Sequence, residues 1–122
     1  KKCSIMASML VNKKTVNRWG IYSKKSKINK NNFYIKDVVE KPSIKLAPSN
    51  NAVIGRYILP KKIFLKLTKQ KKGKGGEIHI TDAIRKLINE GELFIAHTFK
   101  GKYLDCGTMS GYIKSSLEIS KI

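Results

Sequence analysis

Between Ala52 and Ile88 the apolar residues change their spacing, and that change constrains the chain to a layered fold of strands and helices. Residues 52–59 (AVIGRYIL) form a near-continuous apolar run of strand length, the strongest strand signal in the sequence. Pro60 follows at once, and proline suits the first turn of a helix, where its missing N–H has no partner to lose. That helix is expected to reach about Thr68, with Ile63, Phe64 and Leu67 turned inward. Further on, Ile80, Ala83, Ile84, Leu87 and Ile88 make one apolar stripe at helical spacing, with Thr81 as the expected N-cap. Gly91 stands where a left-handed C-terminal cap belongs. Strands that alternate with such helices require a sheet covered by helices, so the class is α/β.

The remaining segments fit that class. Residues 4–11 (SIMASMLV) are expected as a buried strand, and residues 18–22 (RWGIY) as a short strand interrupted by Gly20. Residues 24–32 (KKSKINKNN) have nothing to bury and are expected as a loop. Residues 34–41 (YIKDVVEK) alternate as a strand does and are stopped by Pro42. A turn region follows at residues 45–51, a basic loop at 70–76 (QKKGKGG), a strand at 93–99 and a turn at 101–107. The final helix is expected from near Thr108 to the end, burying Tyr112, Ile113 and Leu117. No internal repeat and no linker divides the 122 residues, which read as one piece of one layered domain.

Composition narrows the function classes. An apolar fraction of 41% and a charged fraction of 28% argue against disorder. Lys and Arg total 26 against 8 for Asp and Glu, a formal net charge of +18. Such a chain attracts polyanions, although a lysine- and asparagine-rich bias of composition accounts for the charge equally well. Cys3 and Cys106 form neither a CxxC nor a disulfide framework, which favours a reducing, cytoplasmic setting. No apolar run approaches the ~18 residues that cross a membrane, and no signal peptide is visible. The glycine-rich residues 71–76 lack the order of a P-loop, and neither the histidines nor the cysteines have zinc-ligand spacing.

Five short stretches carry a more specific signal. They are Arg18-Trp19-Gly20-Ile21, then Val38-Val39-Glu40-Lys41-Pro42, then Ala47-Pro48-Ser49-Asn50 with Ala52-Val53-Ile54-Gly55-Arg56-Tyr57. Gly76-Glu77-Ile78-His79-Ile80-Thr81-Asp82-Ala83-Ile84 comes next, and Asp105-Cys106-Gly107 with Gly111-Tyr112 last. In order and spacing the chain resembles the bacterial-type UTP–glucose-1-phosphate uridylyltransferases, from about Ser4 to its end. The resemblance implies the C-terminal part of a Rossmann-like nucleotidyltransferase fold, a mixed sheet flanked by helices. It further implies that residues 1–122 are the sugar-phosphate-binding portion. The family's G-x-G-T-R-x-x-P loop is not found, so the N-terminal UTP-binding half is expected to be absent.

The resemblance also assigns roles. The residue matching Glu40 hydrogen-bonds sugar hydroxyls, and the one matching Lys41 neutralises the sugar phosphate and is the catalytic candidate. Read without the family, the two are a surface pair flanking a turn, and consecutive strand residues point to opposite faces. Gly20 matches a glycine that lets the backbone approach the sugar, and alone would mark a β-bulge. Val53 matches an apolar wall of the sugar pocket, and alone reads as core. Tyr103 matches an aromatic near the sugar. Asp105 matches a carboxylate that binds Mg²⁺ together with a second aspartate from the N-terminal half, and alone reads as a helix cap.

The implied reaction joins UTP and glucose 1-phosphate to give UDP-glucose and pyrophosphate, by positioning and charge neutralisation. The chain alone is expected to be catalytically silent, or to work only with a separately made N-terminal half; that half or a second copy of the chain in a homo-oligomer is the expected protein partner. A fragment of an open sheet is also expected to expose unpaired strand edges and apolar faces. The alternative is a small basic nucleic-acid-binding protein, using Lys clusters at residues 24–30 and 69–74 beside Tyr22, Phe33 and Tyr34. Against it, no nucleic-acid-binding signature is present.

Overall fold

The computed structural model describes residues 3–122. Its strands are β1 (Ser4–Leu10), β2 (Gly20–Lys27), β3 (Asn32–Glu40), β4 (Asn51–Ile58) and β5 (Phe94–Thr98). The helices are α1 (Ile63–Thr68), α2 (Ile80–Asn89) and α3 (Met109–Ile119), with 3-10 turns at Lys13–Arg18 and Lys74–Gly76. Among these described residues no helix is long and apolar enough to cross a membrane.

The sheet is mixed and closes on itself in the order β1-β4-β2-β3-β5. β1 runs parallel to β5 and antiparallel to β4, while β3 pairs antiparallel with both β2 and β5. β2 and β4 touch at one bridge, Ile21 with Ala52. Every strand therefore has two neighbours, but beyond that single bridge the facing sides of β2 and β4 are not paired to each other, so the expected unpaired edges are found there. The closing pair joins residues far apart in sequence, which local patterning does not reveal.

One apolar cluster fills the fold. Met6, Tyr22, Phe33, Ile35, Val38, Val53, Phe94 and Ala96 come from the strands, and Ala83, Ile84 and Leu87 from α2. The stripe read from the sequence is thus the buried face of α2, and Gly91 ends the helix at φ +88° as expected. A smaller cluster joins Val16, Ile21 and Ala52. Tyr22 is fully buried, and its hydroxyl donates to the Ala7 carbonyl at 2.9 Å. Burial pushes that phenol far above the ordinary value, because ionisation would strand a charge in the core.

Three local expectations are corrected. Residues 24–27 belong to β2, and a tight turn takes the place of the longer loop. Asn29 Oδ1 accepts from the amides of Asn31 and Asn32, and Lys24 Nζ lies 4.8 Å from the Phe33 ring centroid. Phe64 of α1 is 67% exposed, so that helix docks through buried Ile63 and partly buried Leu67, as expected of those two, and not through Phe64. On α3, Tyr112, Ile113 and Leu117 all face outward, and only Ser115 is buried.

Candidate active site

Four of the residues singled out in the sequence meet at one cavity of about 380 Å³. Gly20 opens β2, Glu40 closes β3, Val53 lies in β4, and Tyr103 comes from the segment before α3. The β-ladder brings the first two together, since Gly20 is the register partner of Glu40. A Cβ on Gly20 would stand 3.1 Å from Glu40 Oε2 and 3.4 Å from Val53 Cγ2. Glycine is needed there because the Glu40 carboxylate and the valine already occupy the space, a stricter reason than a bulge.

Glu40 is held from a second side. Thr81 Oγ1 donates to Glu40 Oε2 at 3.0 Å. The expected N-cap role of Thr81 is therefore wrong: the N-cap is His79, two residues earlier, α2 starts at Ile80, and the threonine hydroxyl serves the carboxylate. Oε1 of Glu40 keeps its acceptor capacity, and a carboxylate oxygen so placed accepts from ligand hydroxyls.

β4 bends around the cavity. Its register with β1 jumps from Met6–Tyr57 to Ser8–Val53, so residues 54–56 bulge, with Gly55 at φ +69°. The bulge sets Arg56 and Tyr57 into the cavity wall beside Arg18 and Trp19. Trp19 meets Tyr103 edge to face, with ring centroids 5.2 Å apart. Burial first, and then the Glu40 charge and Tyr103, push the Tyr57 phenol above its ordinary 10.0. Arg56, Tyr57 and Thr81 were not among the sequence candidates. Arg56 and Tyr57 stood in a quoted motif, but their inward aim depends on a bulge that spacing does not show.

Lys41 follows Glu40 directly and does not line the cavity. Its side chain is exposed, its N–H donates to the Trp19 carbonyl at 3.0 Å, and its φ is +43°. The left-handed backbone breaks strand alternation at this point, so Glu40 and Lys41 are not bound to opposite faces. The neighbouring motif Ala47-Pro48-Ser49-Asn50 is structural: Ser49 Oγ donates to the Tyr22 carbonyl at 2.6 Å and accepts from the Asn51 N–H at 3.1 Å.

Asp105 lies in an adjoining depression that shares Tyr103 with the cavity. Its Oδ1 accepts from the Gly107 N–H at 3.0 Å, while Thr108 caps α3 through Gly111 N–H at 3.1 Å. The cap reading of Asp105 therefore goes to Thr108. A Cβ on Gly111 would sit 2.4 Å from the Asp105 carbonyl oxygen, so the two glycine-containing halves of this motif form one unit. Asp105 is exposed and leaves Oδ2 available, which suits one position on a hard cation. Among the described residues no three His, Cys, Asp or Glu side chains converge, so a complete metal site is not formed by them.

Comparison with known proteins shows the family of the fold. The chain is 44% identical over 115 residues to a UTP–glucose-1-phosphate uridylyltransferase of Pseudomonas aeruginosa, covering 94% of this chain and 40% of that one. It is 39% identical over 117 residues to the Bacillus subtilis enzyme of the same name, covering 96% and 39%. A crystal structure of UDP-glucose pyrophosphorylase complexed with UDP-glucose matches with a TM-score of 0.90 and 44% identity, over 98% of this chain and 44% of that one. The chain thus spans about 40% of the length of the curated relatives it matches. A family model described as nucleotidyl transferase matches residues 1–122, and with the shared fold this places the chain in the nucleotidyl transferase family.

Proposed function

We propose that this chain forms the sugar-phosphate side of an enzyme that makes UDP-glucose and pyrophosphate from UTP and glucose 1-phosphate. One observation carries the reading: motif residues from four separate segments converge on a single cavity around the Glu40 carboxylate. In it, Glu40 Oε1 accepts sugar hydroxyls while Thr81 and Gly20 hold the carboxylate still. Val53 and the Trp19–Tyr103 pair supply apolar walls for the sugar face. Lys41 meets the sugar phosphate as a point charge, the catalytic contribution assigned to it.

Asp105 would contribute one carboxylate to Mg²⁺, which would supply neutralisation of phosphate charge. The second carboxylate belongs to polypeptide equivalent to the rest of the relatives' length, as does the UTP-binding loop. The outward face of α3 fits a docking role for that polypeptide. Met109, Tyr112, Ile113 and Leu117 are each more than half exposed, an apolar stripe that the barrel leaves uncovered. A cytoplasmic setting suits nucleotide substrates and the two free cysteines.

The test is calorimetry of glucose 1-phosphate and UDP-glucose with Mg²⁺ against the full chain and its Lys41→Ala variant. Millimolar or tighter binding that the variant loses supports the reading. Absence of binding to a chain that melts cooperatively overturns it. UDP-glucose formation only after mixing with a polypeptide of the remaining length would identify the partner.

A further inference from the structure

Alanine forms helix better than glycine does, yet the third residue of α3 is Gly111, while α1 and α2 contain no glycine. The reason lies outside the helix. A Cβ on Gly111 would stand 2.4 Å from the Asp105 carbonyl oxygen and 3.0 Å from Thr108 Oγ1. The hydroxyl can turn aside, but a main-chain carbonyl moves only with its chain. One turn further along α3, Ser115 Oγ donates to the same carbonyl at 3.4 Å. Ser115 is the one buried residue of this helix, so the hydroxyl of its best-protected position is directed at Asp105.

Burial does not hold Asp105 in place, because residues 100–110 are all exposed. Its main chain is instead fixed by the two contacts from α3, and its Oδ1 by the Gly107 N–H at 3.0 Å. With the backbone and one oxygen both held, the remaining oxygen, Oδ2, has a set direction. An acid on an exposed segment keeps such a direction only while its supports remain, since ordering a free segment costs conformational entropy.

We propose that Gly111 and Ser115 are positioning residues for the Asp105 carboxylate. Gly111 admits the Asp105 carbonyl onto the first turn of α3, Ser115 ties it there, and their grip lets the carboxylate share a cation with the phosphates of a bound ligand. The role toward the cation rests on the reading of Asp105 as a Mg²⁺ ligand; the grip itself rests on the contacts alone.

The test uses the full chain, its Gly111→Ala and Ser115→Ala variants, and Ser116→Ala as control, whose hydroxyl bonds only to the Tyr112 carbonyl within α3. Without metal, the backbone order of residues 105–107 is read from the heteronuclear NOE of their amides. That order should match α3 in the parent and the control, fall in Ser115→Ala and fall further in Gly111→Ala, with the barrel amides unmoved. Calorimetry of UDP-glucose with and without Mg²⁺ then reads the coupling. Mg²⁺ should tighten binding by about fivefold or more in the parent and the control. Gly111→Ala should lose most of that gain and Ser115→Ala part of it, with metal-free affinity unchanged, as loss of the grip alone requires. Unchanged order at residues 105–107 in both variants would overturn the proposal, as would a fall in order that leaves the Mg²⁺ gain intact. A parent that binds no UDP-glucose, or gains nothing from Mg²⁺, would overturn the reading of the site, and the order measurement would still decide whether the grip on Asp105 exists.

Discussion

Thr81 and Glu40, 41 residues apart in sequence, are joined by a 3.0 Å hydrogen bond from the threonine hydroxyl to Oε2 of the carboxylate. The first turn of α2 thereby sets the direction of the acid at the end of β3. A hydrogen bond to a charged group contributes about 1.5–3 kcal/mol when both partners are desolvated. Thr81 is 5% exposed, so little water is on hand to replace the hydroxyl. Thr81→Val, which keeps the shape, should weaken glucose 1-phosphate binding by about tenfold. Thr81→Ser should restore most of it. Calorimetry on both variants decides the matter, and equal binding by valine and serine would show that the bond orients nothing the ligand uses.

Gly20 gives a second prediction, because its missing side chain is filled by neighbours that cannot all withdraw. Val53 belongs to the core, and Glu40 Oε2 is tied to Thr81. Gly20→Ala should cost about 1–3 kcal/mol as an overpacked contact. Thermal melting would record the loss of stability, and the shift of Glu40 should reduce sugar-phosphate binding beyond the loss of folded protein. Gly20→Ala combined with Val53→Ala should recover stability if the clash is the one described.

Lys41 separates folding from binding. A left-handed backbone costs a residue with a side chain about 1–2 kcal/mol, a penalty glycine escapes. Lys41→Gly should therefore melt no lower than the parent chain despite losing its side chain, whereas Lys41→Ala should keep the strain. Both should lose the sugar phosphate. A glycine variant that melts well below the alanine variant would mean that the left-handed conformation is not where the energy lies.

How much of this was visible beforehand depends on whether local apolar spacing reflects burial. The inward stripe of α2, Pro60 before α1 and Gly91 after α2 were all readable, because each is decided within a turn or two of chain. The far end of β2 was not, because Lys24, Lys25, Ser26 and Lys27 are exposed and held by backbone pairing to β3 rather than by burial. The opposite holds on α3, where Tyr112, Ile113 and Leu117 have helical spacing yet face outward, because the barrel does not cover them. At the site, Gly20, Glu40, Val53 and Tyr103 were found through short motifs. Thr81 was assigned to a cap because threonine before an apolar stripe is a common start signal, and only the tertiary contact with Glu40 redirects it.

The buried phenol of Tyr22 and the partly buried phenol of Tyr57 predict an alkaline limit to stability. Tyr22 and Tyr57 both have folded-state pKa values raised above the ordinary 10.0, chiefly by burial. Below that value both phenols are neutral, folded or unfolded, and the full stability is present. As pH rises past it, the unfolded chain releases these protons while the folded chain retains them, so unfolding gains free energy and stability falls. The melting temperature should therefore decline above about pH 10, and ultraviolet titration of phenolate should show two tyrosines ionising late and together with unfolding. Tyr22→Phe removes one of them together with the hydrogen bond to the Ala7 carbonyl. That variant should be less stable at pH 7 by about 1 kcal/mol, yet lose stability less steeply above pH 10. A slope unchanged by the substitution would mean that the Tyr22 phenol ionises in the folded barrel and that its burial is not maintained at high pH.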